Sequence, residues 1–287
     1  MWLLMCALLA AVPPVPSSSA NGVVVLPVAN MYSKPDTNAD VVSQAIYSTN
    51  ISVLQDQRDW LRIQTPDQYT GWIQSSSVLR RGPYAASGRV AEVESLFASL
   101  YRERDITTHA PVVTIPFGAR LEITAEPDGS SGRWLAARLP DGRSAWIQRG
   151  DVSFGPTKES IPEVIDWSKR FLGLPYLWGG TSTFGFDCSG LTQTLYRRLG
   201  YVIPRDADQQ AAWSGLKPVG RDELQPGDLL YFGPKSGEIT HTGMYIGAGQ
   251  FINATPWRHP VVQIANLGDP HWTNLFVCAR RLKDRGN

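Results

Sequence analysis

Short stretches in which hydrophobic and polar residues alternate fill the first half of the chain. The segments VVSQAIYSTNISVLQ and VVTIPFGARLEITAE are rich in β-branched residues and are typical of strands. Two others, RDWLRIQTPDQYTGWIQSSSV and GRWLAARLPDGRSAWIQRGDV, place Trp-Leu and Trp-Ile pairs on either side of a Pro-Asp turn. That arrangement is typical of a β-hairpin, so the pattern predicts mostly antiparallel β structure.

The two hairpin segments form an internal repeat. Every matched position in the second segment lies 74 residues after its counterpart in the first. A fixed offset of this kind indicates a duplicated structural unit. We therefore predict two small antiparallel β domains at residues 21–82 and 83–155, and expect most of the repeated tryptophans to be core residues. These tryptophans are Trp60, Trp72, Trp134 and Trp146.

The hydrophobic period becomes helical after about residue 157. In KESIPEVIDWSKRFLG the apolar residues fall on one helical face, and Gly173 ends the run. A glycine-rich loop follows, and leucines then recur every four residues from Leu191 to Leu199. This spacing predicts a second helix that begins close to Cys188 and ends before Gly200.

Residues 1–20 differ from the rest of the chain. An apolar run of about a dozen residues, too short to span a bilayer, precedes small and polar residues that include Ser18 and Ala20. The pattern matches a secretory signal cleaved before Asn21, although no Lys or Arg precedes the run. A retained membrane anchor is the alternative. We expect an exported protein, periplasmic or extracellular, with no stable membrane span after removal of the signal.

Composition and charge exclude several classes of function. The chain has 287 residues, 27 Lys and Arg against 26 Asp and Glu, 43% hydrophobic residues and a net charge of +1. These values are typical of globular proteins and argue against a nucleic-acid partner, which needs a clustered basic surface. The sequence contains no metal-ligand cluster, phosphate-binding loop or dinucleotide fingerprint, so we predict no cofactor and no metal. Cys278, among apolar neighbours, is predicted to be a small buried hydrophobe.

Cys188 is the candidate nucleophile. At the start of a helix, free N–H groups and the helix dipole favour the thiolate. A cysteine that cleaves amides also needs a basic group and a third polar group that orients this base. His241 lies on a predicted strand that a Gly-Ala-Gly turn connects to a strand containing Asn253, so one hairpin can pair the two side chains. The other histidines have contexts typical of surface or structural residues: His109, His259 and His271.

Four ordered segments closely resemble the NlpC-type cysteine peptidases of bacterial cell walls: PYLWGGTSTFGFDCSGL, IPRDADQQ, LQPGDLLYF and HTGMYIGAGQFINA. The resemblance implies an α+β fold with a papain-like catalytic domain at residues 156–287. The two preceding repeats resemble small bacterial SH3-like β-barrel domains. Together these features are similar to the γ-D-glutamyl-L-diamino acid endopeptidases, also called dipeptidyl-peptidase VI. Such enzymes cut the D-Glu to diamino-acid bond of peptidoglycan stem peptides and prefer a free N-terminal L-Ala.

The resemblance also implies roles for individual residues. Cys188 is the implied nucleophile, His241 the general base and acid, and position 253 the orienting residue. The relatives commonly carry histidine where this chain has Asn253, and an amide oxygen can still accept from the imidazole N–H. Peptidoglycan-derived peptides are the implied ligands. The implied substrate contacts are Tyr176, Trp178, Asp187, Ser189, Asp206 and, from the first β domain, Tyr69.

Other interpretations stay open from the sequence. Asp187 is equally suited to capping a helix, and Asp206, which fits a free α-amino group, can be a turn residue. Arg205 can pair either with a substrate carboxylate or with Asp206. The protein can also be a non-catalytic wall-binding module, or a muramoyl-alanine amidase or acyl transferase on the same fold. The sequence favours neither lysine nor diaminopimelate as the diamino acid.

Overall fold

A seven-stranded, a five-stranded and a six-stranded β-sheet follow one another along the chain in a computed structural model. The structure describes residues 21–129, 132–155 and 158–283. The predicted export signal at residues 1–20 lies outside these ranges. None of the helices in the described part of the chain is both long and apolar enough to cross a membrane.

The first sheet is antiparallel and has the spatial order β3-β2-β6-β5-β4-β1-β7. Its core is aliphatic and includes Leu61, Ile63 and Ile73, which are at most 2% exposed. Its strands are β1 (Gly22–Val24), β2 (Val28–Tyr32), β3 (Val41–Ile46), β4 (Asn50–Gln57), β5 (Trp60–Gln64), β6 (Thr70–Gln74) and β7 (Val78–Leu79).

The predicted closed barrel is not found in this sheet. Among the described residues, β3 and β7 are the two ends of the strand order and do not pair with each other. A later segment of the chain, at Thr181, covers the free edge of β3 instead. The Thr181 hydroxyl donates to the Gln44 carbonyl at 3.3 Å, and the Thr181 N–H donates to Gln44 Oε1 at 3.1 Å. The bond to the backbone carbonyl satisfies a group of the β3 edge that a closing strand would otherwise satisfy.

The second sheet has the order β13-β12-β11-β8-β14, with β9 and β10 paired separately. The repeat has the same geometry in both copies, because Trp60 pairs with Gln74 and Trp134 pairs with Gln148. The strands are β8 (Val90–Val93), β9 (Phe97–Leu100), β10 (Val113–Pro116), β11 (Arg120–Ala125), β12 (Trp134–Arg138), β13 (Ser144–Gln148) and β14 (Val152–Phe154).

The expectation that most of the repeated tryptophans are core residues is wrong. Only Trp134 is buried; Trp60, Trp72 and Trp146 are half-buried. Successive side chains of a strand point to opposite faces of a sheet. The aliphatic residues between the tryptophans therefore fill the cores, while the indoles lie on the other face, where Trp60 packs edge-on against Tyr32.

The third sheet has the order β17-β22-β18-β19-β20-β21. Its strands are β17 (Leu216–Val219), β18 (Leu229–Phe232), β19 (His241–Gly247), β20 (Gln250–Thr255), β21 (Val261–Asn266) and β22 (Phe276–Leu282), and a short hairpin of β15 (Thr181–Ser182) and β16 (Gly185–Phe186) lies beside it. The helices are α1 (Ile161–Ser168), α2 (Cys188–Arg198), α3 (Ala207–Ala212) and α4 (Pro270–Leu275).

Helix α2 is buried along almost its whole length and packs on β19 and β20. It begins at Cys188, and Gly200 follows its end with a φ of +87°, as the leucine spacing predicts. The first turn of α2 packs closely against the glycine-rich loop. A Cβ at residue 190 would lie only 2.1 Å from the Gly180 oxygen, so a larger residue would clash there. Glycine at 190 therefore permits the approach that fixes the position of the cysteine.

Candidate active site

Cys188 is the first residue of α2 and is 8% exposed. Asp187 caps the helix, and its Oδ1 accepts from the Gly190 N–H at 2.7 Å. The Asp187 N–H donates to the Gly180 carbonyl at 3.0 Å, which ties the cap to the glycine-rich loop. The sulfur is therefore held by the geometry of a helix start between a loop and a sheet.

His241 and Asn253 are paired across one hairpin. His241 begins β19 and Asn253 lies on β20, with 3.0 Å between His241 Nε2 and Asn253 Oδ1. Asn253 is fully buried, and its Nδ2 donates to the Gln263 carbonyl at 3.2 Å, which fixes the amide orientation. Since Oδ1 can only accept, Nε2 carries the imidazole proton and Nδ1 is left to accept a proton.

The hairpin also contacts the cysteine. Backbone hydrogen bonds from Thr242, the residue after His241, and from Ser189 lower the pKa of the Cys188 thiol. Burial has the larger opposite effect, and the pKa rises to about 12. The helix start was predicted to stabilise the thiolate, but the desolvation of the charged sulfur on burial outweighs this effect.

Burial shifts the pKa of His241 in the direction that keeps it neutral. Its pKa falls from 6.5 to about 4, although the hydrogen bond with Asn253 opposes this shift. At neutral pH the site consequently holds a neutral thiol and a neutral imidazole. A base in this state can take the thiol proton as the sulfur attacks a carbonyl.

Arg205 is buried and connects the helix start to the first β domain. Its Nη2 forms an ion pair with Asp187 Oδ2 at 2.5 Å, and its Nη1 donates to Ser189 Oγ at 2.8 Å. Its Nε donates to Ser43 Oγ on β3 at 3.1 Å. Arg205 was expected to pair with a substrate carboxylate or with Asp206, but it pairs with Asp187. A buried guanidinium needs an adjacent counter-charge, and the Asp187 carboxylate provides it.

Asp206, at the start of α3, meets Tyr69 from the loop between β5 and β6 of the first sheet. The Tyr69 hydroxyl lies 3.2 and 3.3 Å from the two Asp206 carboxylate oxygens. Burial raises the pKa of Asp206, and it raises the pKa of Tyr69 to about 12. The structure thus brings together two residues that were predicted to contact substrate and that lie 137 positions apart in the sequence.

Tyr176 and Trp178 occupy the loop before β15. Tyr176 is half-buried and lies close enough to Cys188 for the thiolate to raise the pKa of the phenol, although burial is the larger cause. The Trp178 indole is 68% exposed. Of the two aromatic residues, Tyr176 is therefore within electrostatic range of the cysteine, and Trp178 is largely exposed to solvent.

Two family models match this chain. The NlpC/P60 family matches residues 173–281, and the bacterial SH3 domain matches residues 27–79. A γ-D-glutamyl-L-lysine dipeptidyl-peptidase from Bacillus cereus is 31% identical over 261 residues, covering 85% of this chain and 76% of that protein. The chain belongs to the NlpC/P60 family.

Further NlpC/P60 relatives match most of the chain. Dipeptidyl-peptidase 6 from Lysinibacillus sphaericus is 27% identical over 261 residues, which cover 88% of this chain and 93% of that protein. A crystal structure of an NlpC/P60 family protein from Bacillus cereus has a TM-score of 0.79 at 24% identity, covering 92% of this chain and all of that one. The predicted resemblance to NlpC-type peptidases with a bacterial SH3 domain is confirmed.

One residue beside the NlpC/P60 site was not anticipated from the sequence. Trp272 on α4 is 2% exposed and stacks on the His241 imidazole, with ring centroids 5.1 Å apart and an interplanar angle of 25°. The Trp272 indole covers one face of the His241 imidazole, and Asn253 bonds to the Nε2 edge of the same imidazole. No local sequence signal points to this contact, because it joins a helix to a strand 31 positions earlier.

Cys278 was predicted to be buried, but it is only half-buried, although its neighbours in the NlpC/P60 domain are apolar as expected. It lies on β22, half-buried against the main core, and burial raises the pKa of its thiol. His259 is exposed, and His271 stacks on Trp257 with parallel rings 4.2 Å apart. In the described ranges, no three His, Cys, Asp or Glu side chains are grouped so as to hold a metal ion.

The lowered pKa of His241 predicts an acid limb of activity far below the usual histidine range. Because protonated imidazole cannot accept the thiol proton, kcat/KM should fall as pH drops through about 4. Between this limb and the thiol pKa of about 12, activity should be nearly independent of pH. Initial rates on a stem tripeptide from pH 3 to pH 9 test this, and an acid midpoint at 6 or above would contradict it.

Proposed function

We propose that this protein is a cysteine endopeptidase that hydrolyses the γ-D-glutamyl-L-diamino acid bond of peptidoglycan stem peptides. The observation that carries the proposal is the 3.0 Å hydrogen bond between His241 and Asn253, on a hairpin that contacts the sulfur of Cys188. Relatives named γ-D-glutamyl-L-lysine dipeptidyl-peptidase over most of this chain's length support the choice of bond.

The proposed reaction proceeds through a thioester. Cys188 Sγ attacks the γ-carbonyl of D-Glu while His241 Nδ1 takes the thiol proton. Nδ1 then returns the proton to the departing amine of the diamino acid, and the C–N bond breaks. Water attacks the thioester with His241 again acting as base, which releases the D-Glu carboxylate and restores the thiol. Asn253 holds the imidazole in the tautomer that each step requires.

Two donors support the developing oxyanion in this mechanism. One is the backbone N–H of Cys188, because N–H groups in the first turn of a helix have no intrahelical partner. The other is the Tyr176 phenol, whose pKa is raised by burial, so that the hydroxyl keeps its proton and donates. Trp178, exposed two residues further on, is proposed to form a wall of the cleft.

The free N-terminus of the substrate is proposed to bind at Asp206. A half-buried carboxylate that accepts from Tyr69 gains a counter-charge when a peptide ammonium group docks there. A capped or muramoyl-linked L-Ala has no ammonium group to offer. Asp187 and Ser189 are engaged by Arg205, so they are proposed to act on substrate by shaping this end of the cleft.

The division of the chain is also part of the proposal. Residues 21–82 and 83–155 would be two SH3-like domains and residues 156–287 the peptidase domain, with residues 1–20 directing export to the periplasm or the exterior. The matching hairpins β5–β6 and β12–β13 support the duplication. In both copies a tyrosine packs edge-on against the first tryptophan of the hairpin, Tyr32 on Trp60 and Tyr101 on Trp134.

A product assay tests the proposed function directly. L-Ala-γ-D-Glu-L-Lys, its diaminopimelate analogue, their N-acetylated forms and their muramoyl-linked forms are incubated with the protein and analysed by mass spectrometry. Release of the L-Ala-D-Glu dipeptide from the free peptides, at least tenfold faster than from the acetylated forms, is expected. Cleavage of a muramoyl-L-Ala bond would identify an amidase instead, and binding without turnover would identify a wall-binding module.

Asn253 provides a second test. Asn253→Ala should lower kcat by between about 10²- and 10⁴-fold, because the imidazole loses the group that fixes its tautomer. Asn253→His is the matched variant, since an imidazole nitrogen can also accept from Nε2. It should retain most of the activity and add a second titrating group to the acid limb. Full kcat in the alanine variant would show that Asn253 does not orient the base.

A further inference from the structure

Trp272 packs against one face of the imidazole that is proposed to act as the base. The indole is 2% exposed, whereas His241 is half-buried. The two rings stack with their centroids 5.1 Å apart and an interplanar angle of 25°. Phe232 of β18 approaches the same imidazole at 5.9 Å. The face of His241 that meets the indole is therefore closed to water.

Other aromatic rings hold the Trp272 indole in place. Phe232, Phe251 and Trp257 meet it at centroid distances of 5.1–5.5 Å, with interplanar angles between 61° and 89°. Edge-to-face contacts of this kind are a favoured arrangement of aromatic pairs. An indole confined in this way cannot tilt away from His241 unless the surrounding rings move as well.

Helix α4, which carries the indole, is anchored at both ends. Asp269 caps its start, where the Asp269 Oδ1 accepts from the His271 N–H at 2.9 Å. At its end the Leu275 carbonyl accepts from the N–H of Gly233, the residue after β18, at 2.8 Å. Strand β18 pairs with β19, which begins at His241. The indole and the imidazole are thus attached to the same part of the third sheet.

The N–H of the Trp272 indole is buried and has no hydrogen-bond partner among the described residues. A buried donor without a partner destabilises a folded protein. Phenylalanine would avoid this loss, but its smaller ring would cover less of the imidazole. Stability alone therefore does not require an indole at this position, and the large face of the ring is the property that matters to His241.

The charged groups around His241 do not account for its low pKa. The Asp187 carboxylate, at the start of α2, raises the pKa of His241, and His271 on α4 lowers it. Asn253 on β20 is uncharged, and its hydrogen bond raises the same pKa. Cys188 is uncharged in acid, because the pKa of its thiol is about 12. Burial is the largest cause, and the pKa of His241 falls to about 4.

An indole face has two opposite effects on an imidazole. It attracts the charged imidazolium, which raises the pKa by about one pH unit. It also excludes water, and full burial can lower the pKa of a histidine by about 3–5 pH units. Since the pKa of His241 is lowered overall, the exclusion of water is the larger effect.

We propose that Trp272 is a positioning residue for His241: its indole excludes water from one face of the imidazole and restrains the plane of the ring. At 2% exposure the indole does not reach substrate, so it acts on the reaction through His241. The imidazole then stays neutral, and able to accept the thiol proton, in mildly acidic solution. The inference rests on the proposed role of His241 as the base.

Nuclear magnetic resonance of the whole protein with isotope-labelled histidine tests the proposal without substrate. The His241 signals are assigned with a His241→Gln variant, and we expect them to titrate near pH 4 in the wild type. Trp272→Ala admits water to the imidazole and should raise the midpoint by about one pH unit or more. Trp272→Phe keeps a ring against His241 and should raise it by less. The acid limb of kcat/KM should move with the midpoint in each variant.

Two matched controls separate the cover of the indole from other causes. His271→Gln removes the charge on α4 that acts on His241, and it should raise the midpoint by less than Trp272→Ala does. Trp134→Ala removes an indole of the second sheet that is 7% exposed. It should leave the His241 midpoint at the wild-type value, although it also removes a buried ring.

The proposal is overturned if the Trp272→Ala midpoint stays at or falls below the wild-type value. It is also overturned if His271→Gln or Trp272→Phe raises the midpoint as far as Trp272→Ala, or if the wild-type midpoint is 6 or above. Should Trp272→Ala not fold, Trp272→Leu takes its place with the same expected direction. Wild-type protein that shows the expected titrations but does not cleave the tripeptide would contradict the peptidase function alone.

Discussion

Cys188→Ala should abolish turnover of L-Ala-γ-D-Glu-L-Lys, with kcat lowered by about 10⁴-fold or more. The thiol is the group that forms the proposed covalent bond, and a methyl group cannot replace it. The fold should persist, because residue 188 is a small side chain at a helix start whose cap comes from Asp187. Single-turnover assays with mass detection of the thioester provide the measurement.

Cys278→Ala is the matched control for this prediction. It removes the second cysteine of the described chain, which lies on β22, a strand that pairs with β17 and β18. Turnover and formation of the thioester at Cys188 should both be preserved. Residual turnover in Cys188→Ala within tenfold of the wild-type value would contradict the assignment of the nucleophile.

Arg205→Met should lower the free energy of unfolding by about 3–5 kcal/mol, because it leaves the Asp187 carboxylate buried without its partner. The Arg205 side chain is 1% exposed and that of Asp187 is 11% exposed, so water cannot replace the guanidinium. Ser43 and Ser189 lose their donor in the same variant. Urea unfolding followed by circular dichroism measures the loss.

Arg143→Met provides the comparison for Arg205. Arg143 also pairs with an aspartate at 2.7 Å, but its side chain is 65% exposed. Exposed ion pairs contribute about 0–1 kcal/mol, so this variant should unfold at nearly the wild-type urea concentration. Equal small losses in the two variants would show that the buried pair adds nothing beyond a surface pair.

The sequence predicted best those features that depend on neighbouring residues. The start of α2 at Cys188 and the turn that pairs His241 with Asn253 follow from spacing within a few tens of residues, and the repeat follows from one fixed offset of 74 residues. The resemblance to a known family then placed Tyr69 and Asp206 in one site, where the structure finds their hydroxyl and carboxylate in contact.

Features that depend on distant contacts were predicted less well. The barrel was expected to close, but the edge of β3 is covered by Thr181, which is 137 positions from Gln44. The thiol was expected to ionise easily, but burial by the surrounding elements outweighs the helix start. The partner of Arg205 was not predicted either, since the choice among nearby carboxylates depends on packing rather than on order along the chain.

The bond from Arg205 to Ser43 has a consequence for any attempt to transplant the peptidase region into another protein. A fragment that begins after the second β domain would keep the nucleophile and its base, yet it would lack the hydroxyl that Arg205 Nε contacts. It would also lose the Gln44 groups that hold Thr181. Such a fusion needs a host surface that supplies an equivalent acceptor. Otherwise the transplanted fragment must include the first sheet, which carries Ser43 and Gln44.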